Sequence, residues 1–212
     1  MSLSAHIHRT ASLALAAASV LAVSAACSST PRQSGSDLPT AAESSHGCGT
    51  AAVDVDALVR YRTEAVIDAS PSAIWGLLTD VSRWPTWVQS VQRATGPDPA
   101  PLSEGSHFEW TTPVPATELG PATDLVVTST VERMESESCI VWSGPAVGDG
   151  LMVDNGVHMW TLADHPDGVL VSTEESWVGE QVESDAAMST GFLGASLDAW
   201  LADLKTAAEA QS

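Results

Sequence analysis

From Val59 to Asp68 the chain alternates, with Val59, Tyr61, Thr63, Ala65 and Ile67 on one face of an extended strand and Arg60, Arg62, Glu64, Val66 and Asp68 on the other. At Ser70 the period changes. Ser70-Pro71 reads as an N-cap and a first helical position, where proline gives up only an N–H that no helix bond uses. Ile74, Trp75, Leu77 and Leu78 then supply the apolar face of a short helix, and Trp84-Pro85-Thr86-Trp87 forms an aromatic corner. Six further segments, 88–94, 105–111, 125–135, 139–143, 156–162 and 169–177, are rich in Val, Thr and Trp and are separated by Gly, Pro and Asp. The last two form a hairpin around Asp164-His165-Pro166-Asp167-Gly168. Short strands of this kind suit antiparallel pairing better than βαβ crossovers, so a sheet of about seven strands is expected. Over residues 181–210 the helical period returns, with Leu193, Leu197, Trp200, Leu204 and Ala208 in one stripe. A sheet and a helix with one apolar face each are both buried when the sheet curves around the helix, which gives an α+β fold.

The N-terminal quarter lacks such patterning. His6, His8 and Arg9 precede an alanine-rich apolar run over residues 11–26, with small residues before Cys27. The run is shorter than the roughly 20 apolar residues a spanning helix needs, and its layout is that of a signal segment. Cleavage after Ser24-Ala25-Ala26 fits ordinary secretion. A cysteine directly after the cut also fits the lipobox of bacterial lipoproteins, although Ser24 stands where that motif has an aliphatic residue. Residues 28–52 are rich in Ser, Thr, Pro, Gly and Ala and bury too little to offset their ordering entropy. The expected parsing is a signal segment 1–26, a tether 27–54 and one folded domain 55–212. The protein is then exported, and either lipid-anchored at the outer membrane face through Cys27 or secreted.

Charge narrows the partners. There are 27 acidic and 8 basic side chains, a formal charge of −19, and removal of residues 1–26 takes one arginine away and brings it to about −20. Nucleic-acid binding depends on basic side chains displacing counterions from phosphate, so this composition argues against it, and direct docking on an anionic bilayer is disfavoured likewise. Cys48 and Cys139 permit one intramolecular disulfide. The alternative is a Cys139 buried as a small hydrophobe with Cys48 idle in the tether.

The run Ala69-Ser70-Pro71-Ser72-Ala73-Ile74-Trp75-Gly76-Leu77-Leu78-Thr79-Asp80, followed by Trp84-Pro85-x-Trp87, resembles the START-like or SRPBCC superfamily. Its polyketide cyclase/dehydrase and lipid-transport group is the nearest in pattern. Gly156-Val157-His158-Met159-Trp160-Thr161-Leu162, Thr173-Glu174-Glu175-Ser176-Trp177-Val178-Gly179 and Leu201-x-x-Leu204-Lys205-x-x-Ala208-Glu209 extend the likeness over nearly all of residues 60–210. The resemblance implies a helix-grip fold of the START and Bet v 1 type with a ligand groove between sheet and helix. It speaks less to function, since the superfamily holds lipid carriers, aromatase/cyclases and binding proteins without chemistry. The proline-bearing segment 112–123 is expected to cover the cavity entrance.

On strand parity the cavity face carries His158, Trp160 and Leu162 on one hairpin strand and Val171, Thr173, Glu175 and Trp177 on the other. Phe108, Trp110, Trp142, Trp160, Thr173 and Met188 are the candidate ligand contacts. His158 and Glu175 are the candidate catalytic pair, a carboxylate orienting an imidazole for proton transfer; the alternative is a hydrogen-bonded pair beside the pocket. Trp75, Trp84, Trp87 and Trp200 read as structural. His107, Glu109, Cys139 and His158 have no metal-ligand spacing, and neither a phosphate loop nor a nucleophile elbow is present, so no metal or cofactor is expected. These features point to binding or carriage of a hydrophobic small molecule, such as a lipid, isoprenoid or aromatic polyketide. The alternatives are a cyclase/dehydrase-type enzyme and a non-catalytic structural or interaction module.

Overall fold

The computed structural model describes residues 48–97, 101–116 and 121–211. Seven strands, β1 (Val59–Ile67), β2 (Arg93–Thr95), β3 (His107–Val114), β4 (Thr123–Glu135), β5 (Cys139–Gly148), β6 (Leu151–His165) and β7 (Gly168–Val178), form one antiparallel sheet in the order β1-β7-β6-β5-β4-β3-β2. The helices are α1 (Pro71–Thr79), the short α2 (Glu180–Glu183) and α3 (Ala186–Glu209), and a 3₁₀ turn spans Val81–Thr86. This is the expected α+β helix-grip arrangement. Ser70 caps α1 as its sequence implies, its side chain accepting from the Ala73 N–H with Pro71 at the first position.

Four boundaries differ from the periodicity. Segment 88–94 is strand only at its end, because Val88 and Val91 turn into the core from an irregular stretch behind the 3₁₀ turn. The β5–β6 hairpin runs on to Gly148 and Leu151, well past the apolar stretches that mark it in sequence. The helix expected over 181–210 is broken at Ser184–Asp185. There the Asp185 carboxylate accepts from the Met188 N–H and starts α3 afresh. Of the segment 112–123, residues 112–114 belong to β3 and pair with β4, and residues 117–120 lie outside the described residues.

Two devices bend the sheet. Ladder shifts fall between Val131 and Arg133 and between Gly144 and Ala146. At Gly144 a Cβ would lie 1.9 Å from the Thr128 carbonyl oxygen, so only glycine allows β4 and β5 to approach there. In the concavity lies α3, with Leu193, Leu197, Trp200, Leu204 and Ala208 buried. Its C-terminal half, with Leu201 and Leu204, joins Ile67, Ile74, Leu78, Val171 and the indoles of Trp84 and Trp160 in the main core.

On the convex face, residues 48–54 pack ahead of the Val55 boundary. Cys48 is bonded to Cys139 with a Cα–Cα distance of 5.6 Å, and both are buried beside Val141. Val53 is buried and the Asp54 N–H donates to Ser176 Oγ on β7. This covalent tie corrects the expected localisation. Cys27 and the signal segment lie outside the described residues, whereas Cys48, the cysteine of the N-terminal region that is described, is committed to the fold and can carry no acyl chain. An exported, lipid-anchored location is therefore not retained. Among the described residues no helix is long and apolar enough to cross a membrane.

Candidate functional site

Small side chains open a space between sheet and helix. The N-terminal half of α3 presents Ser189, Ala195 and Ser196 where its other half presents leucines, and the facing strands carry Gly144, Ala146 and Gly156. The result is a cavity of about 330 Å³, within the range that holds a small ligand. Trp110 on β3, Trp142 on β5, Trp177 on β7 and Phe192 and Trp200 on α3 contribute its aromatic walls. Leu125, Val127, Val153 and Val182 add aliphatic surface nearer the ends of the strands.

An aromatic plug separates the cavity from the core. Trp84, fully buried on the 3₁₀ turn, donates its Nε1–H to the Leu78 carbonyl at 3.2 Å. Its ring meets Trp200 edge-on at 5.2 Å and Phe108 edge-on at 5.5 Å between centroids, and Trp142 at 5.8 Å. Such pairs contribute about 0.5–1.5 kcal/mol each beyond area burial, which favours this arrangement of the wall.

His158 and Glu175 are register partners on β6 and β7, and both line the cavity. His158 Nδ1 lies 3.2 Å from Glu175 Oε2, and His158 Nε2 is 2.7 Å from Thr173 Oγ1. Trp177 Nε1–H donates to Glu175 Oε1 at 2.6 Å. The imidazole is 2 % exposed and boxed by Trp142, Trp160 and Trp200 at ring distances of 4.9, 5.3 and 5.6 Å, whereas the carboxyl keeps 17 % exposure. Loss of hydration dominates both ionisations. It lowers His158 to about 3 and raises Glu175 to about 7, the latter against the opposing pull of the Trp177 hydrogen bond. The pair is thus uncharged in weakly acidic solution, a neutral imidazole beside a protonated carboxyl.

Of the candidate contacts, Trp110 and Trp142 line the cavity with the His158–Glu175 pair. Phe108, Trp160 and Thr173 lie on the right faces of their strands but are buried beyond the cavity end, in or beside the core under α3. Met188 is half-buried and sits one residue, about 100°, off the Ser189–Phe192–Ser196 line that faces the space. Trp200, read as structural, is both plug and wall. Trp177, Phe192 and Val182 join it; Trp177 was visible from β7 parity, but the α3 contacts depend on helix phase after the break at Ser184–Asp185. His107 and Glu109 are exposed on β3 and do not line the cavity.

A seven-stranded sheet gripping a terminal helix over a largely apolar pocket defines a helix-grip protein of the START-like superfamily. The chain belongs to the polyketide cyclase / dehydrase and lipid transport family, whose pattern it matches over residues 59–209. No curated protein matches it. Among solved structures it is similar to the di-domain ARO/CYC StfQ from the steffimycin biosynthetic pathway, at 14% identity and a TM-score of 0.54 over 72% of this chain. That match spans 52% of StfQ, about half of the two-domain chain. TTHA0849 from Thermus thermophilus is similar at 14% identity and TM-score 0.54, and a START superfamily protein from Mycobacterium smegmatis at 15% and 0.54. Each of these two matches covers 72% of this chain and 99% of the other. At such identities the likeness is one of fold.

Proposed function

We propose that the chain binds a hydrophobic, ring-containing small molecule non-covalently in the cavity between sheet and α3. The observation that carries this reading is a space of about 330 Å³ walled by Trp110, Trp142, Trp177, Phe192 and Trp200 and broken by few polar groups, the His158–Glu175 pair and the buried hydroxyls of Ser129 and Ser189 among them. Apolar ligand surface leaving water contributes roughly 25 cal/mol per Å², and a few fixed polar groups set orientation. Flat indole walls favour rings over flexible chains, because stacking costs a rigid ligand little conformational entropy. Lipids and isoprenoids are the other members of this class to be tested.

Acid/base chemistry of the cyclase/dehydrase kind is the second reading. It is favoured by the placement of His158 and Glu175 on the cavity wall, and StfQ, described as an ARO/CYC, motivates polyketide-like test compounds. Against it, both imidazole nitrogens are already engaged, and burial makes His158 a weak base. Native mass spectrometry of purified protein, with a ring-compound and lipid panel, tests binding. A bound ring compound is expected, and failure of every panel member leaves the structural-module reading instead. Turnover by wild type that Glu175→Gln abolishes would replace carriage with catalysis.

A further inference from the structure

Six of the eight basic side chains lie within the described residues, and none lines the cavity. Arg60 and Arg62 point from the convex face and pair with Glu174 and Glu64. Arg133 pairs with Glu104 and Glu135, and Lys205 with Glu209 near the far end of α3. Arg83 and Arg93 are exposed outside the wall. The cavity therefore holds a carboxyl among indoles and, among the described residues, no fixed cation to match it.

The rim repeats this bias. Acidic residues flank the lining positions on β4, β6 and α2: Asp124 beside Leu125, Asp149 and Asp154 on either side of Leu151 and Val153, and Glu180, Glu183 and Asp185 around Val182. All are exposed except the half-buried Glu183, and segments 112–124, 148–155 and 179–196 contain no lysine or arginine. A cleft edged by one sign of charge concentrates ligands of the other sign and raises their rate of entry.

We infer that the cavity selects a cationic ligand: an apolar ring compound bearing a protonated or quaternary amine, with the ammonium against Glu175 and the ring body against Trp110, Trp142 and Trp200. This rests on the binding function proposed above and names its ligand class. The chemistry is complementary at each point. Glu175 Oε1 and Oε2 already meet Trp177 and His158, yet the carboxyl keeps exposure through which a third donor reaches it. The groups facing it are His158 from β6, Trp177 on its own strand and Tyr61, its register partner on β1, whose hydroxyl is turned to Asp198 on α3. None of these competes as a cation at neutral pH. Indole faces add cation–π attraction, strongest where water is excluded. An entering ammonium also restores the ionised carboxylate that burial alone disfavours. An anionic ligand meets the opposite at every stage.

The test uses the full chain at pH 8 and three probes of one ring system: 2-naphthylmethylamine, 2-naphthalenemethanol and 2-naphthoate, with affinity read from tryptophan quenching and calorimetry. The amine is expected to bind at least about tenfold tighter than the alcohol, and the acid weakest. Glu175→Gln, with its fold checked by near-UV circular dichroism, should reduce the amine-to-alcohol ratio to within about twofold of unity. Equal binding of amine and alcohol by wild type, or a preference for the acid, overturns the inference and leaves the pocket reading standing. A preference that survives in Glu175→Gln overturns the role of Glu175. Failure of all three probes overturns the inference, and the binding reading then stands or falls on the wider ring-compound and lipid panel.

Discussion

His158 Nδ1 and Glu175 Oε2 face each other at 3.2 Å across adjacent strands, in surroundings where neither side chain readily ionises. Their opposite displacements, His158 downward and Glu175 upward, give the protein a particular dependence on pH.

Between pH 4.5 and about 7 the folded chain holds a proton on Glu175 that the unfolded chain has released, so rising pH favours unfolding in that window. Between about pH 3 and 6.5 the unfolded chain holds the proton on His158 instead, so rising pH favours folding. The two slopes oppose each other from 4.5 to 6.5. In Glu175→Gln only the histidine slope survives, so the variant should gain stability relative to wild type from pH 4.5 to 7, on the order of 3 kcal/mol. Thermal midpoints measured from pH 4 to 8 check this; parallel curves for the two proteins would remove the linkage.

Thr173 offers a second handle. Its hydroxyl is the partner of His158 Nε2 in a fully buried position. Thr173→Val keeps the shape and strands the imidazole nitrogen, at a cost of about 1–3 kcal/mol. Urea unfolding gives the number, and a change below a few tenths would mean that the nitrogen finds another partner.

Ala146 tests the cavity by volume. It is buried on β5 and lines the space opposite α3, so Ala146→Leu fills part of it without adding a polar atom. Ligand affinity should fall about tenfold or more while stability changes by less than about 1.5 kcal/mol. Unchanged affinity in calorimetry would place the ligand elsewhere.

The Cys48–Cys139 bond closes 91 residues of sequence and fastens segment 48–54 across the convex face. Cys48→Ser should lower stability by about 2–4 kcal/mol and speed amide exchange at Val141 and Met159. Since the cavity lies on the other face of the sheet, ligand affinity should hold. Denaturant curves of wild type with and without reductant, beside the variant, separate the two effects.

Local periodicity was enough for the architecture. Alternation in 59–67 and 169–177, the Ser70-Pro71 start and the Leu193–Ala208 stripe each specify an element through short-range backbone and side-chain preferences, and one apolar face apiece leaves a gripped helix as the way to bury both. Strand parity likewise put His158, Glu175 and Trp177 on one face, because residues two apart share a side of a strand whatever it packs on. Parity does not say how far along a face the cavity reaches. Trp110 and Trp142 came to line it while Phe108, Trp160 and Thr173 were buried beyond it, a division set by which half of α3 carries Ser189 and Ser196 and which carries Leu201 and Leu204. Tertiary structure alone also decided the break at Ser184–Asp185, the disulfide that binds Cys48 into the fold, and the absence of any cation on the cavity wall among the described residues. The disulfide and the make-up of the cavity wall depend on contacts between residues far apart in the chain, of which sequence spacing carries no record, whereas the break rests on the local Asp185 cap, which the helical period around it masks.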